Sequence, residues 1–326
     1  MTIYDIANLA EVSASTVSRV LNNKPGVGKK KRSEIQALLE QYNFSPNETA
    51  RGLVNQSTRM IGILLTDIRT THHTDAAYYI ERELSAHGYC SLLFNTGSDA
   101  PDQERYIAEL NKRRVEGVFM IGSVFQSDVV KEAIVQYLPN IPVVMINGYL
   151  KLPNVYSVMT DEQRGVADCV RLMVNKGRKH FAFVCNADTP SNRSKKQGFI
   201  DGTGICNVEG RLFDAETSVQ SGYDQTCLIL QEYPQADCFI YAVDLLATGG
   251  IRAMYDRGIA VPKDVAVIGI DNSIYTEVCN PRLTSLDNKL LESSITAAHV
   301  MTDCLKGEKT GAQIILVTSI VEREST

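Results

Sequence analysis

The segment Ser13-Ala14-Ser15-Thr16-Val17-Ser18-Arg19 places four hydroxyls and one guanidinium within seven residues. These groups read nucleic acid: Arg reaches a guanine edge or a phosphate, and Ser and Thr pair with donors or acceptors. The small side chains around them let a helix sit deep in a major groove. The chemistry on offer is recognition of DNA.

Such residues need a rigid support, and the flanking pattern supplies one. Ile3, Ile6, Ala7 and Ala10 recur at i, i+3, i+4 and i+7, the apolar stripe of a short helix. Val17, Val20 and Leu21 form a second stripe. Between them lies a tight break, with Ser13 placed to cap the free N–H groups of the second helix. Two short helices joined by a three- to four-residue turn make a helix-turn-helix. The same spacing also fits an amphipathic hairpin inside an ordinary domain.

The next forty residues bear on that choice. Lys24 to Gly28 read as a turn. Lys29, Lys30, Lys31 and Arg32 then open a third helix, where cations oppose the helix dipole. Nearby phosphates would account for the run; a solvated charge cluster is the alternative. Ile35, Leu38, Leu39 and Tyr42 give this helix its own stripe. Up to Arg59 the chain has eight Lys/Arg and five Asp/Glu, a charge of +3, against −8 for the remainder. A basic head on an acidic body is the asymmetry of a nucleic-acid-binding module joined to something else.

On these residues the chain resembles the lactose/galactose-repressor (LacI/GalR) family. The carrying motifs are Thr2-Ile3-Tyr4-Asp5-Ile6-Ala7, then Val12-Ser13-x-x-Thr16-Val17-Ser18-Arg19-Val20-Leu21-Asn22, then Tyr42-x-Phe44-x-Pro46-Asn47-x-x-Ala50-Arg51-x-Leu53. The resemblance implies a small all-α helix-turn-helix head over residues 1–45 and a hinge helix or linker over 46–59. It implies a two-lobed α/β core over 60–326, like a periplasmic binding protein. The N-lobe would span about 60–159 and 288–317, and the C-lobe about 161–286 and 319–326. The implied DNA contacts are Thr2, Tyr4, Ser13, Ala14, Ser15, Thr16, Ser18, Arg19, Asn22, Lys29, Arg32, Asn47, Ala50 and Leu53. Ala14 and Ser15 stand at variable base-reading positions, Arg19 at a constant one. Leu53 would wedge open a central base step in the minor groove, which makes sense where a bent duplex touches more protein.

Composition agrees with a globular chain: 326 residues, 44% hydrophobic, 22% charged. No run is long enough to span a membrane and no apolar signal core opens the chain, so a cytoplasmic location is expected. The eight cysteines are scattered without a Cys-x-x-Cys pair and read as reduced core thiols. His72-His73 lacks partners at ligand spacing, and neither metal nor cofactor is expected. No heptad tail closes the sequence, so a homodimer is expected rather than a tetramer.

After residue 59, apolar runs alternate with helical patterns. Strands are expected at Met60–Leu65, Cys90–Phe94, Gly117–Ile121, Pro142–Ile146, Phe181–Cys185, Cys238–Ala242 and Val265–Ile270. Helices are expected at 76–87, 102–114, 128–137, 164–176, 222–232, 245–257 and 290–306. This is β-α-β repetition, giving doubly wound parallel sheets, with too many strands for one flavodoxin-size sheet. A ligand cleft belongs outside the strands' carboxyl ends. No GxGxxG, P-loop or nucleophile elbow follows a strand, so an enzyme is not expected.

The polar stretch Asp67 to Asp75 reads as a long βα loop, with Thr70, His72 and His73 as effector contacts by resemblance. Asp271 ends an apolar strand and by resemblance stands where a family aspartate accepts from ligand hydroxyls, since a carboxylate can take two at once; a helix or turn cap is the alternative. Two departures stand against the family pattern. Lys195 occupies the place of an arginine and lacks its bidentate fork, with Arg193 either supplying a guanidinium instead or staying solvated. Val243 stands where many relatives carry Asn, leaving Asp244 as a contact or a helix cap. Arg164 and Asn288 fall at ligand-facing family positions. The expectation is a DNA-binding repressor of a carbohydrate-utilisation operon. Its partners would be palindromic double-stranded operator DNA and a small sugar or glycoside effector, with no membrane. The alternative is a global regulator of the same fold, answering to a phosphorylated protein co-repressor, a nucleobase or another metabolite.

Overall fold

In a computed structural model of the protein, residues 1–44, 57–185 and 188–326 are described. The chain divides into two compact units, Met1–Thr58 and Arg59–Thr326.

Among the described residues the head contains three helices, Ile3–Leu9, Ala14–Leu21 and Lys29–Gln41. Each apolar stripe turns inward: Ile6, Ala7, Ala10, Val17, Val20 and Ile35 are buried together. Leu38 and Leu39 only flank this core and Tyr42 is exposed, so the third helix contributes less than its stripe promised. The first helix starts with a capping box. The Asp5 amide donates to Thr2 Oγ1 at 3.3 Å, and the Thr2 amide donates to Asp5 Oδ2 at 2.6 Å. The turn between the first two helices passes through Glu11 at φ 49°.

In the larger unit two six-stranded sheets form. One has the strand order β11-β5-β4-β3-β1-β2 and the other β12-β10-β9-β8-β6-β7. The first sheet comprises β1 (Met60–Leu65), β2 (Cys90–Asn95), β3 (Gly117–Ile121), β4 (Val143–Ile146), β5 (Val155–Thr160) and β11 (Gln313–Leu316). The second comprises β6 (His180–Cys185), β7 (Glu209–Asp214), β8 (Cys238–Tyr241), β9 (Ala266–Ile270), β10 (Thr284–Asp287) and β12 (Ser319–Val321). All pairings are parallel except β10 with β12. Parallel strands need crossovers, and helices cover both faces of each sheet. Ile61, Ile63 and Phe119 pack to one side of the first sheet, and Leu64, Val118 and Met120 to the other. The chain passes between sheets three times: between β5 and the Glu162–Asn175 helix, after β10, and between β11 and β12.

Several elements differ from the sequence expectation. The helix expected from residue 76 begins at Thr71, so His72 and His73 sit in its first turn and not in a loop. The segment Pro190–Cys206 is a helix despite lacking an apolar stripe. Its glycines explain this: a Cβ at Gly198 would lie 2.1 Å from the Gln163 carbonyl oxygen, so this helix packs backbone to backbone on Glu162–Asn175. Gly222 and Gly249 do the same for Val219–Glu232 and Asp244–Asp256. Strands β5, β7, β10, β11 and β12 were not expected. Cys90 is exposed, unlike the buried Cys169, Cys185 and Cys238.

Candidate functional site

Two places hold the sequence-predicted residues. In the head, Ser13 is the N-cap of the second helix and accepts from the Thr16 amide at 3.3 Å. Its hydroxyl also pairs with Ser15 Oγ at 2.8 Å and Thr16 Oγ1 at 2.9 Å, a hydroxyl chain along the helix start. Ser15 and Arg19 are exposed, and so is Tyr4 on the first helix. Ala14, Thr16 and Ser18 are half-buried, with Ala14 packed on the head core. Thr2 spends its hydroxyl on Asp5, and Asn22 donates to the Ser18 carbonyl at 2.8 Å. The basic run divides. Arg32 ties down the preceding turn through Asn23 Oδ1 and the Lys24 carbonyl, and Lys31 pairs with Glu34. Lys29 is exposed. Asn47, Ala50 and Leu53 lie outside the described residues, as does most of the expected 46–59 hinge.

In the larger unit, a cavity of about 310 Å³ opens between the two sheets. Its walls are the segments that follow strand carboxyl ends. Thr66 and Asp67 come after β1, Gly122 and Ser123 after β3, Asn147 after β4, Val243 after β8, Asp271 after β9 and Asn288 after β10. This is where open parallel sheets bind ligands, because the crossovers leave a crevice there. Thr70, His72, His73, Lys195, Val243, Asp271 and Asn288 all line it. Arg164, Arg193 and Asp244 do not. Arg164 and Arg193 have exposed side chains facing Asp168 and Asp188.

Asp244 works behind the wall. It accepts from the Ser273 amide at 2.7 Å, Ser273 Oγ at 2.8 Å and Ser285 Oγ at 2.7 Å. These bonds clamp a turn in which Asp271 has φ 112° and Asn272 φ 51°. Left-handed conformations at residues other than Gly cost roughly 1–3 kcal/mol each and persist only where surroundings impose them. Asp244 thus positions Asp271 from below. Burial, then the charge of Asp271, raises the pKa of the Asp244 carboxyl.

At the centre, Asn288 joins both sides. Its Nδ2 donates to Asp271 Oδ1 at 2.8 Å and faces His72 Nδ1 at 3.4 Å. His72 Nδ1 therefore accepts, and its proton resides on Nε2. Asn288 Oδ1 is buried without a partner. A second link between the sides runs from the Ser191 amide to Ser123 Oγ at 3.1 Å. Lys195 and Glu162 form a pair at 3.4 Å with side chains only 5% and 6% exposed. Lys195 Nζ also donates to the Ala242 carbonyl at 3.0 Å, and Ser191 Oγ donates to Glu162 Oε2 at 2.5 Å.

The buried setting moves several pKa values. Burial, then the Lys195 charge, lowers His72 to about 4, and burial, then His72, does the same for His73, so both are neutral near pH 7. Burial would strip the Lys195 proton, but Glu162 and Asp271 outweigh it and the pKa is raised. Burial lifts Asp271 to about 7, against the pull of Lys195. Among the described residues no cluster of His, Cys, Asp or Glu could hold a metal ion.

Sequence reasoning missed Glu162, Ser123 and Ser191. Glu162 lies before the helix expected at 164–176 and opens the observed one, and no local signal marks it as the partner of Lys195. Asp67 and Asn147 also line the cavity, Asn147 at φ 56° beside its strand end.

With the geometry known, likeness to other proteins becomes informative. Residues 2–47 match the family model of bacterial regulatory proteins of the lacI family, and residues 170–326 match a periplasmic binding protein-like domain. An HTH-type transcriptional regulator of Lachnoclostridium phytofermentans is 30% identical over 338 residues, covering 100% of this chain and 99% of that protein. The chain belongs to the lacI family. It is a transcriptional regulator of that family, with a helix-turn-helix head and a two-lobed periplasmic-binding-protein-like core. Catabolite control protein A of Priestia megaterium is 27% identical over 100% of the chain and 99% of its own length. The fold matches the lac repressor dimer bound to operator and the anti-inducer ONPF with a TM-score of 0.91. That match has 22% identity and covers 100% of this chain and 98% of the other. A CelR–cellobiose complex matches with a TM-score of 0.74 at 22% identity, covering 100% of each chain. The relatives are regulators and not enzymes. Among the described residues no helix is long and apolar enough to cross a membrane.

Proposed function

We propose that the protein is a homodimeric cytoplasmic repressor of a carbohydrate-utilisation operon, its operator affinity set by a small sugar-like effector in the interlobe cavity. The observation that carries this reading is the Asn288 junction. A buried amide spans both walls, donates to Asp271 and His72, and keeps one acceptor unused. A hydroxyl-bearing ligand supplies the missing donor. It also bonds to both lobes at once, so it binds one lobe arrangement better than the other, which any ligand-driven switch requires.

The head provides the output. Ser15 and Arg19 reach bases from the second helix, while Tyr4, Lys29 and the capped helix start at Ser13 contact phosphates. Leu53 wedges the minor groove. The lac repressor dimer seen with operator and ONPF, and the CelR–cellobiose complex, support this by shared fold. Two heads in one dimer read the half-sites of a palindrome. Fluorescence anisotropy with a palindromic fragment from the regulator's own promoter region tests the reading. Arg19→Ala is expected to lose specific binding by roughly tenfold or more, the value of one good base contact. Full specific binding by that variant overturns the head assignment.

A further inference from the structure

The cavity's charges and acceptors narrow the effector class. Among the described residues, four charged side chains line it: Asp67, Glu162, Lys195 and Asp271. Asp67 is held by Arg69 at 2.7 Å, an exposed pair at the mouth. Inside, two carboxylates face one ammonium, and that ammonium is already committed to Glu162 and the Ala242 carbonyl. Neighbouring cations are spent elsewhere: Arg164 faces Asp168, Arg193 faces Asp188 and Lys196 faces Asp214. Asp271 receives a hydrogen bond from Asn288 at one oxygen, and Asn288 Oδ1 receives none. His72 and Val243 add a neutral ring and an apolar wall. The interior is therefore short of one positive charge and of hydrogen-bond donors.

We propose that the effector is an amino sugar, whose ammonium sits beside Asp271 and Asn288 while its hydroxyls meet the remaining polar wall. The inference rests on reading the cavity as the effector site. An ammonium brings up to three donors and one charge, matching both deficits. A neutral sugar supplies donors but leaves a largely buried carboxylate uncompensated, an expensive arrangement. Burial is what chiefly raises the proton affinity of Asp271, and the Glu162 charge adds to it against the pull of Lys195. A phosphorylated or acidic sugar brings negative charge against Glu162 and Asp271 with no cation to meet it, so it is rejected.

The test is isothermal titration calorimetry on the full chain at pH 7.5, with matched sets. These are glucose, glucosamine and glucose 6-phosphate; galactose, galactosamine and galactose 6-phosphate; and Tris against uncharged trimethylolethane. The amine member of a set is expected to bind about tenfold or more tighter than its neutral partner, with no heat from the phosphate. Asn288→Ala, checked for an unchanged melting temperature, is expected to lose that binding. A neutral or phosphorylated member binding as tightly as the amine, or no binding by any amine, overturns the proposal. A neutral or phosphorylated sugar that binds the parent and is lost in Asn288→Ala overturns amine selectivity alone. Binding that survives Asn288→Ala unchanged overturns the cavity as effector site.

Discussion

Lys195 is the most exacting point in the core. Its ammonium and the Glu162 carboxylate are almost fully buried, 3.4 Å apart. In Lys195→Met the side chain keeps nearly its length and loses its charge. Glu162 is then left buried with only the Ser191 hydroxyl as described partner. Breaking such a pair from one side costs roughly 3–5 kcal/mol, because an uncompensated charge stays inside. For a unit of this size, at roughly 2 °C per kcal/mol, the melting temperature should fall by about 6–10 °C. The double variant Glu162→Gln/Lys195→Met removes both charges and should recover most of the loss, since neutral replacement of a buried pair is often harmless. Denaturant unfolding of the parent, both single variants and the double variant gives the coupling energy, expected at about 2 kcal/mol or more. The His72 pKa, followed by NMR, should rise in Lys195→Met because one of the causes lowering it is gone. A Lys195→Met protein within 1 kcal/mol of the parent, or a double variant no better than the single, refutes the buried-pair argument.

Other expectations follow from the same geometry. Asp244→Ala frees the 271–273 turn, so ligand response should fall by about tenfold or more with operator affinity unchanged, read by anisotropy with and without ligand. The Asp271 carboxyl, raised to about 7 in the folded chain from an ordinary 3.8, costs stability as it ionises. The folded state holds that proton over this window and the unfolded state does not, so stability is lost as pH rises toward 7. Relative to the parent, Asp271→Asn should therefore gain in urea midpoint between about pH 5 and 7; a parallel pH profile refutes this. Gly249→Ala would put a Cβ 2.0 Å from the Val219 carbonyl oxygen and should cost about 1–3 kcal/mol in thermal unfolding. Gly204→Ala, exposed on its helix with nothing within 4 Å, should add about 0.5–1 kcal/mol.

The sequence declared those elements whose burial is one-sided or complete. The head stripes of Ile6, Ala10, Val17 and Val20 and the runs of β1, β3 and β9 are apolar because they meet only protein. Edge strands speak less clearly. In β7, Glu209–Asp214, all but Phe213 are exposed, and β11 alternates exposed with half-buried residues. The Pro190–Cys206 helix hides its packing in glycines, which carry no periodic signal. The first turn of Thr71–Ala86 is polar because it faces the cavity, so it resembled a loop. Site residues divide likewise. Asp271 follows the apolar run of β9, which marks it, whereas Asn288 follows β10, which the sequence did not reveal, and stood out only by its family position. The roles of Glu162 and Asp244 depend on partners far along the chain: Lys195 for the first, Ser273 and Ser285 for the second.

The central claim is that one molecule couples cavity and head. It is tested most directly by anisotropy of a labelled palindromic duplex against the full-length dimer, titrated with a ligand already shown by calorimetry to need Asn288. Operator affinity should change by about 5- to 150-fold on ligand binding, the usual span of allosteric coupling. In Asp271→Asn the duplex should bind as before and the shift should vanish. A ligand that fills the cavity and leaves operator affinity unchanged contradicts the account.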